Sequence, residues 1–163
     1  MNSTQDSQEP EPPDHAGVAF HPPILLAVML VAGFLAHWLI PLHFLDPALS
    51  TPIGLVITAA SFALFVWAVY TMRRGNASIP TGEPTNAIVV RGPFRFSRNP
   101  IYLSMVLLQV GIGIWVNSLW FVGLAVIAAV LLWRGVISRE ERYLERKFGA
   151  EYLSYKGRVR RWL

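Results

Sequence analysis

The sequence has no cysteine and few charged side chains, and each absence narrows what the protein can be. Without cysteine, disulfides, thiolate metal sites and cysteine nucleophiles are excluded. Charged residues make up 15% of the chain and hydrophobic residues 53%, whereas about 25% of an ordinary soluble domain is charged. The 163 residues therefore indicate one domain in a lipid environment.

Lysine and arginine are missing from the first 72 residues, and all 14 of them lie from Arg73 onward. A net charge of +4 alone would be compatible with nucleic-acid binding. This one-sided distribution is instead typical of a membrane protein whose basic segments face the cytoplasm. We therefore expect no nucleic-acid partner.

Four uncharged runs predict about four transmembrane helices. They cover residues 24–40, 53–72, 100–116 and 119–137, with Arg134 as the single charge among them. Residues 1–23 are acidic and rich in proline, which predicts a disordered tail before a single membrane domain at 24–163. Pro41 and Pro47 are expected to interrupt the chain between the first two spans.

Asn117-Ser118 is a minimal turn, so the last two spans are predicted to form a tight helical hairpin. The predicted fold is an all-α membrane protein with two helices followed by this hairpin. Cytoplasmic segments of membrane proteins carry an excess of lysine and arginine, so the 73–99 loop and the C-terminal segment are predicted to lie on the cytoplasmic side. There they would form a polar pocket at the membrane edge. Long loops in small domains are usually functional.

Arg98, Asn99 and Pro100 stand at the entrance to the third span. Asparagine is a favoured N-cap, and proline is favoured at the first helical position, so helix chemistry alone can explain this pair. Helix chemistry alone does not explain Arg98, because a cation at a helix N-terminus faces the positive end of the helix dipole, which is unfavourable. An anion held by Arg98 and the free N–H groups would explain the arrangement. Either a lipid phosphate or the carboxylate of a cofactor would serve.

Glu140 and Glu141 flank the apolar stripe of the helix predicted for residues 136–149. Two carboxylates beside a buried face are costly unless they are paired. Arg134, Arg98 and Arg95 are the candidate partners. The arrangement is either a salt-bridged clamp between the loop and the fourth span or a functional pocket at the membrane edge. The opposite face is basic and suits anionic lipid headgroups or solvent; it carries Arg139, Arg142 and Arg146.

The histidines show no pattern of metal ligation. His37 and His43 are six residues apart, which is not the i, i+4 spacing of a helical metal pair. His15 and His21 belong to the predicted tail. We expect no metal.

Two motifs carry a resemblance to a known family. "GPFRFSRNPIYLS" is followed about forty residues later by "REERYLERKFGAEYLSYKGRVRRWL". Together they resemble the integral-membrane methyltransferases of the isoprenylcysteine carboxyl methyltransferase and phospholipid methyltransferase group. The resemblance covers residues 71–163. It implies that S-adenosylmethionine is held on the cytoplasmic side, between the loop and the C-terminal segment, and that the acceptor arrives from the membrane.

The family motifs fall on Arg98, Asn99, Pro100 and Tyr102, and on the acidic pair Glu140 and Glu141. All six are implied to bind the cofactor, and Arg98 and Glu140 to serve catalysis. Arg98 would pair with the cofactor carboxylate, a glutamate would bind its amino or ribose groups, and Tyr102 would line the pocket.

The motifs also depart from the family pattern. Asn99 stands where many relatives carry histidine, and asparagine cannot titrate near neutral pH. Ser104 replaces a common glycine. A Gly-x-Gly cofactor motif upstream has no counterpart in "RRGNASIP".

The sequence leaves the acceptor open among phospholipid amines, prenylcysteine carboxylates and lipophilic thiols. Two other functions also stay open. One is an NADPH-dependent reductase of the sterol-reductase type, which resembles this fold. The other is a non-catalytic membrane protein whose arginines bind anionic lipids.

Overall fold

The computed structural model describes residues 16–75, 77 and 85–163. All regular structure in these ranges is helical, as predicted. The α-helices are α1 (Pro22–Leu39), α2 (Pro47–Arg74), α3 (Pro100–Trp115), α4 (Leu119–Leu132), α5 (Ser138–Phe148) and α6 (Ala150–Arg158). A short 3-10 turn, Gly92–Arg95, precedes α3, and a π-helical segment, Trp133–Ile137, joins α4 to α5.

Three helices are long and apolar enough to cross a membrane: α1, α2 and the continuous helix Leu119–Phe148. The 16 residues of α3 are also apolar but fall short of that length. Large hydrophobic side chains cover much of the outer surface, as on Trp38, which is 78% exposed. Such a surface is stable only in lipid, so the protein is integral to a membrane.

Pro47, at the start of α2, has a different role from the predicted one. Pro47 does not interrupt the chain but occupies the first turn of the helix, where its missing N–H costs nothing. Asp46 caps this end, because its carboxylate accepts a hydrogen bond from the Ala48 N–H at 2.8 Å. Pro52 lies inside the helix without ending it. The helix therefore begins six residues before the predicted span.

Small residues let α2 and α3 approach each other closely. A Cβ added to Gly111 would lie 2.8 Å from the Thr58 backbone nitrogen, and one added to Gly54 would lie 2.2 Å from that of Trp115. Neither clash could be relieved by moving a side chain. Glycine is thus required at both positions for this helix contact.

The hairpin between α3 and α4 turns at Asn117, where the sequence predicted it. Asn117 has a positive φ of 51°, which asparagine tolerates better than most residues. Its side chain accepts hydrogen bonds from the backbone N–H groups of Phe44 and Leu45 and donates one to the Leu45 carbonyl. The turn therefore also fastens the loop between α1 and α2 at this end of the protein.

Residues 16–23 differ from the disordered tail that was predicted for residues 1–23. Pro22 and Pro23 belong to α1, and the N–H of Ala19 donates to the Gly135 carbonyl at 3.1 Å. Phe20 packs on Gly135 so closely that an added Cβ would lie 2.5 Å from its ring. Residues 16–21 thus lie against the π-helical segment. Residues 1–15 of the predicted tail are outside the described residues.

Candidate functional site at the membrane edge

The two halves of the predicted site meet where α3 begins and α5 passes it. Tyr102, in the first turn of α3, donates its hydroxyl hydrogen bond to Glu140 Oε1 of α5 at 2.6 Å. Tyr102 belongs to the hydrophobic core, together with Val136 and Ile137 of the π-helical segment. The hydrogen bond therefore joins the polar site to the apolar interior of the bundle.

Glu141 is buried beside this pair and is bound by two arginines. Arg98 Nη2 lies 3.2 Å from Glu141 Oε1. Arg161 binds both carboxylate oxygens, through Nε at 2.9 Å and Nη2 at 2.5 Å. The hydrogen bonds to Glu141 raise the pKa of Arg161 above its ordinary value. A buried carboxylate is tolerable only with such partners, so the three side chains form one unit.

The predicted pairing of Arg98 with the acidic motif is confirmed, whereas the other two candidate partners are wrong. Arg134 and Arg95 are exposed, and Glu141 pairs with Arg98 and Arg161 within the described residues. The π-helical segment explains the case of Arg134. A π turn contains more residues than an α turn, so a count on an ideal α-helix misplaces Arg134 relative to Glu141.

Asn99 and Pro100 behave differently from each other. Pro100 is buried at the first position of α3, as helix chemistry predicts. Asn99 occupies the N-cap position, but its side chain makes no capping bond. Its Nδ2 instead donates to the Arg161 carbonyl at 3.0 Å. Asn99 therefore positions the C-terminal end of the chain.

Residues 159–163 follow α6 without regular structure and form a C-terminal strap across the entrance to α3. The Arg98 N–H donates to the Arg160 carbonyl at 3.0 Å, and the Ser97 hydroxyl donates to the Arg161 carbonyl at 3.2 Å. Trp162 packs against the core that contains Tyr102. Sequence reasoning missed this strap because "RVRRWL" has no spacing that distinguishes Arg161 from its basic neighbours.

Two tyrosines of α6 complete the surroundings of Arg98. Tyr155 donates its hydroxyl to the Phe94 carbonyl at 2.8 Å, and Tyr152 lies 3.5 Å from Arg98 Nη1. Burial, with Glu141 nearby, raises the pKa of Tyr152 to about 12, so its hydroxyl stays protonated at neutral pH. Both tyrosines belong to the quoted C-terminal motif, in "FGAEYLSY", and their three-residue spacing was the signal by which they could have been assigned.

The chemistry available here is ionic binding and hydrogen bonding. Arg98 Nε is buried and has no acceptor among residues 16–75, 77 and 85–163, although the rest of the guanidinium is engaged. A buried guanidinium N–H without a partner is costly, and a carboxylate oxygen would satisfy it. Within those same ranges, no three histidine, aspartate or glutamate side chains cluster as a metal site would require.

Residues 49–151 match the phospholipid methyltransferase family. The chain belongs to this family. An uncharacterised protein of Haemophilus influenzae is 45% identical over 64 residues, which are 39% of this chain and all of that protein. The cobalt-zinc-cadmium resistance protein CzcN of Cupriavidus metallidurans is 31% identical over 79 residues, which are 48% of this chain and 36% of CzcN.

The fold is that of an intramembrane methyltransferase. The structure of the eukaryotic Ras methyltransferase ICMT (isoprenylcysteine carboxyl methyltransferase) is similar, with a TM-score of 0.61 and 20% identity. The similarity covers 84% of this chain and 50% of the ICMT chain. The resemblance seen in the sequence is therefore confirmed, and the site lies within an all-helical membrane fold of methyltransferase type.

Proposed function

We propose that this protein transfers a methyl group from S-adenosylmethionine to a lipophilic acceptor at the cytoplasmic edge of the membrane. One observation carries the proposal: the contacts Tyr102–Glu140 and Arg98–Glu141 bring two distant family motifs together at the end of a membrane helix. Membership of a methyltransferase family supports the reaction class. The concentration of basic residues in the loop and C-terminal segment supports the cytoplasmic side.

The residues present fit this cofactor. Arg98 would hold its carboxylate through the buried Nε–H, which otherwise lacks a described acceptor. Glu140 or Glu141 would hold its amino or ribose groups, and Tyr102 would line the pocket. Asn99 and Pro100 contribute by fixing the start of α3. Bound S-adenosylmethionine supplies an activated methyl group, so the protein needs no metal for the transfer.

The protein's own contribution is then mainly positioning. Alignment of two reactants can lower a barrier by about 7–11 kcal/mol without a strong acid or base. Arg98 is held by Glu141 and Tyr152, and Glu140 by Tyr102, so both side chains have fixed orientations. If the acceptor is an amine or a thiol, Glu140 is the carboxylate placed to accept its proton.

The acceptor is proposed to be a membrane lipid or a lipophilic small molecule. Phospholipid amines, prenylcysteine carboxylates and thiols share an apolar body that would remain in the bilayer while the reacting group meets the site. The exposed basic face of α5 would hold anionic headgroups nearby; its members are Arg139, Arg142 and Arg146.

Cofactor binding can be tested with S-adenosylhomocysteine and the detergent-purified protein by calorimetry. Arg98→Ala and Glu140→Ala should each weaken binding at least about tenfold, as loss of a charged hydrogen bond predicts. Arg142→Ala is the matched control, because its side chain is exposed on the same helix as Glu140. Unchanged affinity in both site variants would refute the assignment of these residues.

The acceptor can be found by following the methyl group. Membranes containing the protein are incubated with S-adenosylmethionine labelled in the methyl group, and the lipid extract is separated by chromatography. A labelled lipid that disappears in Arg98→Ala membranes but persists in membranes with Glu151→Ala, an exposed position on α6, identifies the acceptor class. If wild-type membranes transfer no label to lipid or small molecules, the proposed reaction is wrong.

A further inference from the structure

Gln109 lies in the middle of α3 and is fully buried. Neither its Nε2 nor its Oε1 has a hydrogen-bond partner in the part of the chain that the structure describes. The interior of a membrane protein offers no bulk water to satisfy a carboxamide, so an unpaired one is strongly disfavoured. Leucine or methionine would fill the same space at no such cost. The polar group therefore points to a hydrogen-bonding ligand.

The amide borders a small cavity between α1, α3 and α4. The cavity has a volume of about 10 Å³, and its other lining residues are apolar, including Leu25 of α1 and Leu132 of α4. This volume admits one oxygen-sized group. A lone water molecule would find only Gln109 as a side-chain partner, whereas buried waters usually make two to four hydrogen bonds. An oxygen attached to an apolar body suits these walls better.

A groove on the outer side of α3 and α4 can hold such a body. Its volume is about 280 Å³, and its lining side chains are apolar apart from the indole N–H groups of two tryptophans. Val106 lines both the groove and the cavity, so the two spaces are neighbours. At its other end the groove reaches Trp133 and Trp162, and Trp162 follows Arg161 in the C-terminal strap.

We propose that the groove and Gln109 together bind a neutral lipid that carries one hydroxyl or carbonyl oxygen part-way along its chain. The chain lies in the groove, and the oxygen passes Val106 to reach the Gln109 amide. Gln109 follows Pro100 by nine residues, or about 13 Å of helix, which is close to the middle of a hydrocarbon core about 30 Å thick. Ester groups of ordinary phospholipids stay at the interface and do not reach it.

This lipid site goes beyond the proposed methyl transfer and does not require a cofactor. The groove ends beside the C-terminal strap, so a lipid bound there has one end near Arg161 and Glu141. The bound lipid is therefore either the methyl acceptor itself or a separate lipid ligand. The two cases are distinguished by the methyl-transfer assay and not by binding.

The test uses the full chain in dioleoylphosphatidylcholine nanodiscs with two neutral probes, methyl stearate and methyl stearate hydroxylated at mid-chain. Native mass spectrometry measures the fraction of protein that carries each probe at equal mole fraction. One hydrogen bond should favour the hydroxylated probe about fivefold on the wild-type protein. Gln109→Met keeps the side-chain volume and should abolish that preference while leaving binding of methyl stearate unchanged.

Val106→Ala and Val106→Phe provide a second pair of variants. Opening the wall with alanine should preserve or increase the preference for the hydroxylated probe, whereas phenylalanine should block access of its oxygen to Gln109 and remove the preference. Equal binding of both probes to the wild-type protein would overturn the proposal, and so would a preference that survives in Gln109→Met. Transfer of a labelled methyl group to the hydroxylated probe would show that the bound lipid is a methyl acceptor. Binding without transfer would show that the lipid site is separate from the methyl-transfer reaction.

Discussion

Tyr102 and Glu140 are 38 residues apart in the chain, yet the tyrosine hydroxyl lies 2.6 Å from the glutamate Oε1. The contact joins the first turn of α3 to α5. Helix α5 continues α4 through the π-helical segment. Because the hairpin turns at Asn117 near the far end, α3 and the α4–α5 helix run antiparallel and return to the same membrane edge. The hairpin thus places the two family motifs side by side.

Tyr102→Phe should show what this contact contributes. The substitution removes the hydrogen bond to Glu140 and leaves the ring in the core, so the expected loss of stability is about 1–3 kcal/mol. Under the proposed function, affinity for S-adenosylhomocysteine should fall as well, because Glu140 loses its fixed orientation. Thermal unfolding and calorimetry measure the two effects. Tyr70→Phe is the control, since Tyr70 is 51% exposed on α2 and should change neither quantity.

The environment of Glu141 predicts a larger effect. Glu141→Gln would leave the Arg98 and Arg161 guanidinium groups without their shared carboxylate, and breaking a buried ion pair typically costs about 3–5 kcal/mol. Glu145→Gln is a matched change one turn further along α5. Glu145 pairs with Lys156 at a more exposed position, where such pairs contribute about 0–1 kcal/mol. Similar unfolding midpoints for the two variants would contradict the unit formed by Glu141 and its two arginines.

The sequence was sufficient to locate the apolar helices approximately and to name both side chains of the Tyr102–Glu140 and Arg98–Glu141 contacts. Uncharged runs located the spans, and the asparagine at position 117 located the hairpin. The cost of unpaired carboxylates predicted a partner for Glu141, and Arg98 is one. The π-helical segment was not predicted. Ala19 and Phe20 contact it at Gly135, and contacts between such distant parts of the chain are not visible in residue spacing. Once the helical phase shifts there, a wheel drawn on an ideal helix fails for Arg134.

Arg161 and Gln109 were missed for different physical reasons. Arg161 is one of several arginines in a short basic segment. What distinguishes it is that its carbonyl accepts hydrogen bonds from the Ser97 hydroxyl and the Asn99 side-chain amide while its guanidinium binds Glu141. Gln109 is a polar residue in an apolar run, and its significance is that it is buried without a hydrogen-bond partner among the described residues. Neither property is visible in residue spacing.

The C-terminal strap should depend on the side chain of Arg161. Arg161→Ala removes the bidentate bond to Glu141, whereas Arg161→Lys keeps the charge without the planar two-point geometry. We expect both variants to release the strap to carboxypeptidase faster than the wild type, with alanine the faster of the two. Arg160→Ala is the control, because only its backbone carbonyl takes part and its side chain is exposed. Equal digestion of all four proteins would show that the strap is held by its backbone contacts alone.

The absence of cysteine offers a direct test of orientation. A single cysteine introduced at Arg142 on α5 or at His43 between α1 and α2 is the only thiol in its variant. In intact cells, a membrane-impermeant maleimide should label His43→Cys and should leave Arg142→Cys unlabelled until the membrane is opened, because basic segments remain in the cytoplasm. Labelling of Arg142→Cys in intact cells would place the site on the outer side, where cytosolic S-adenosylmethionine has no access, and would contradict the proposed function.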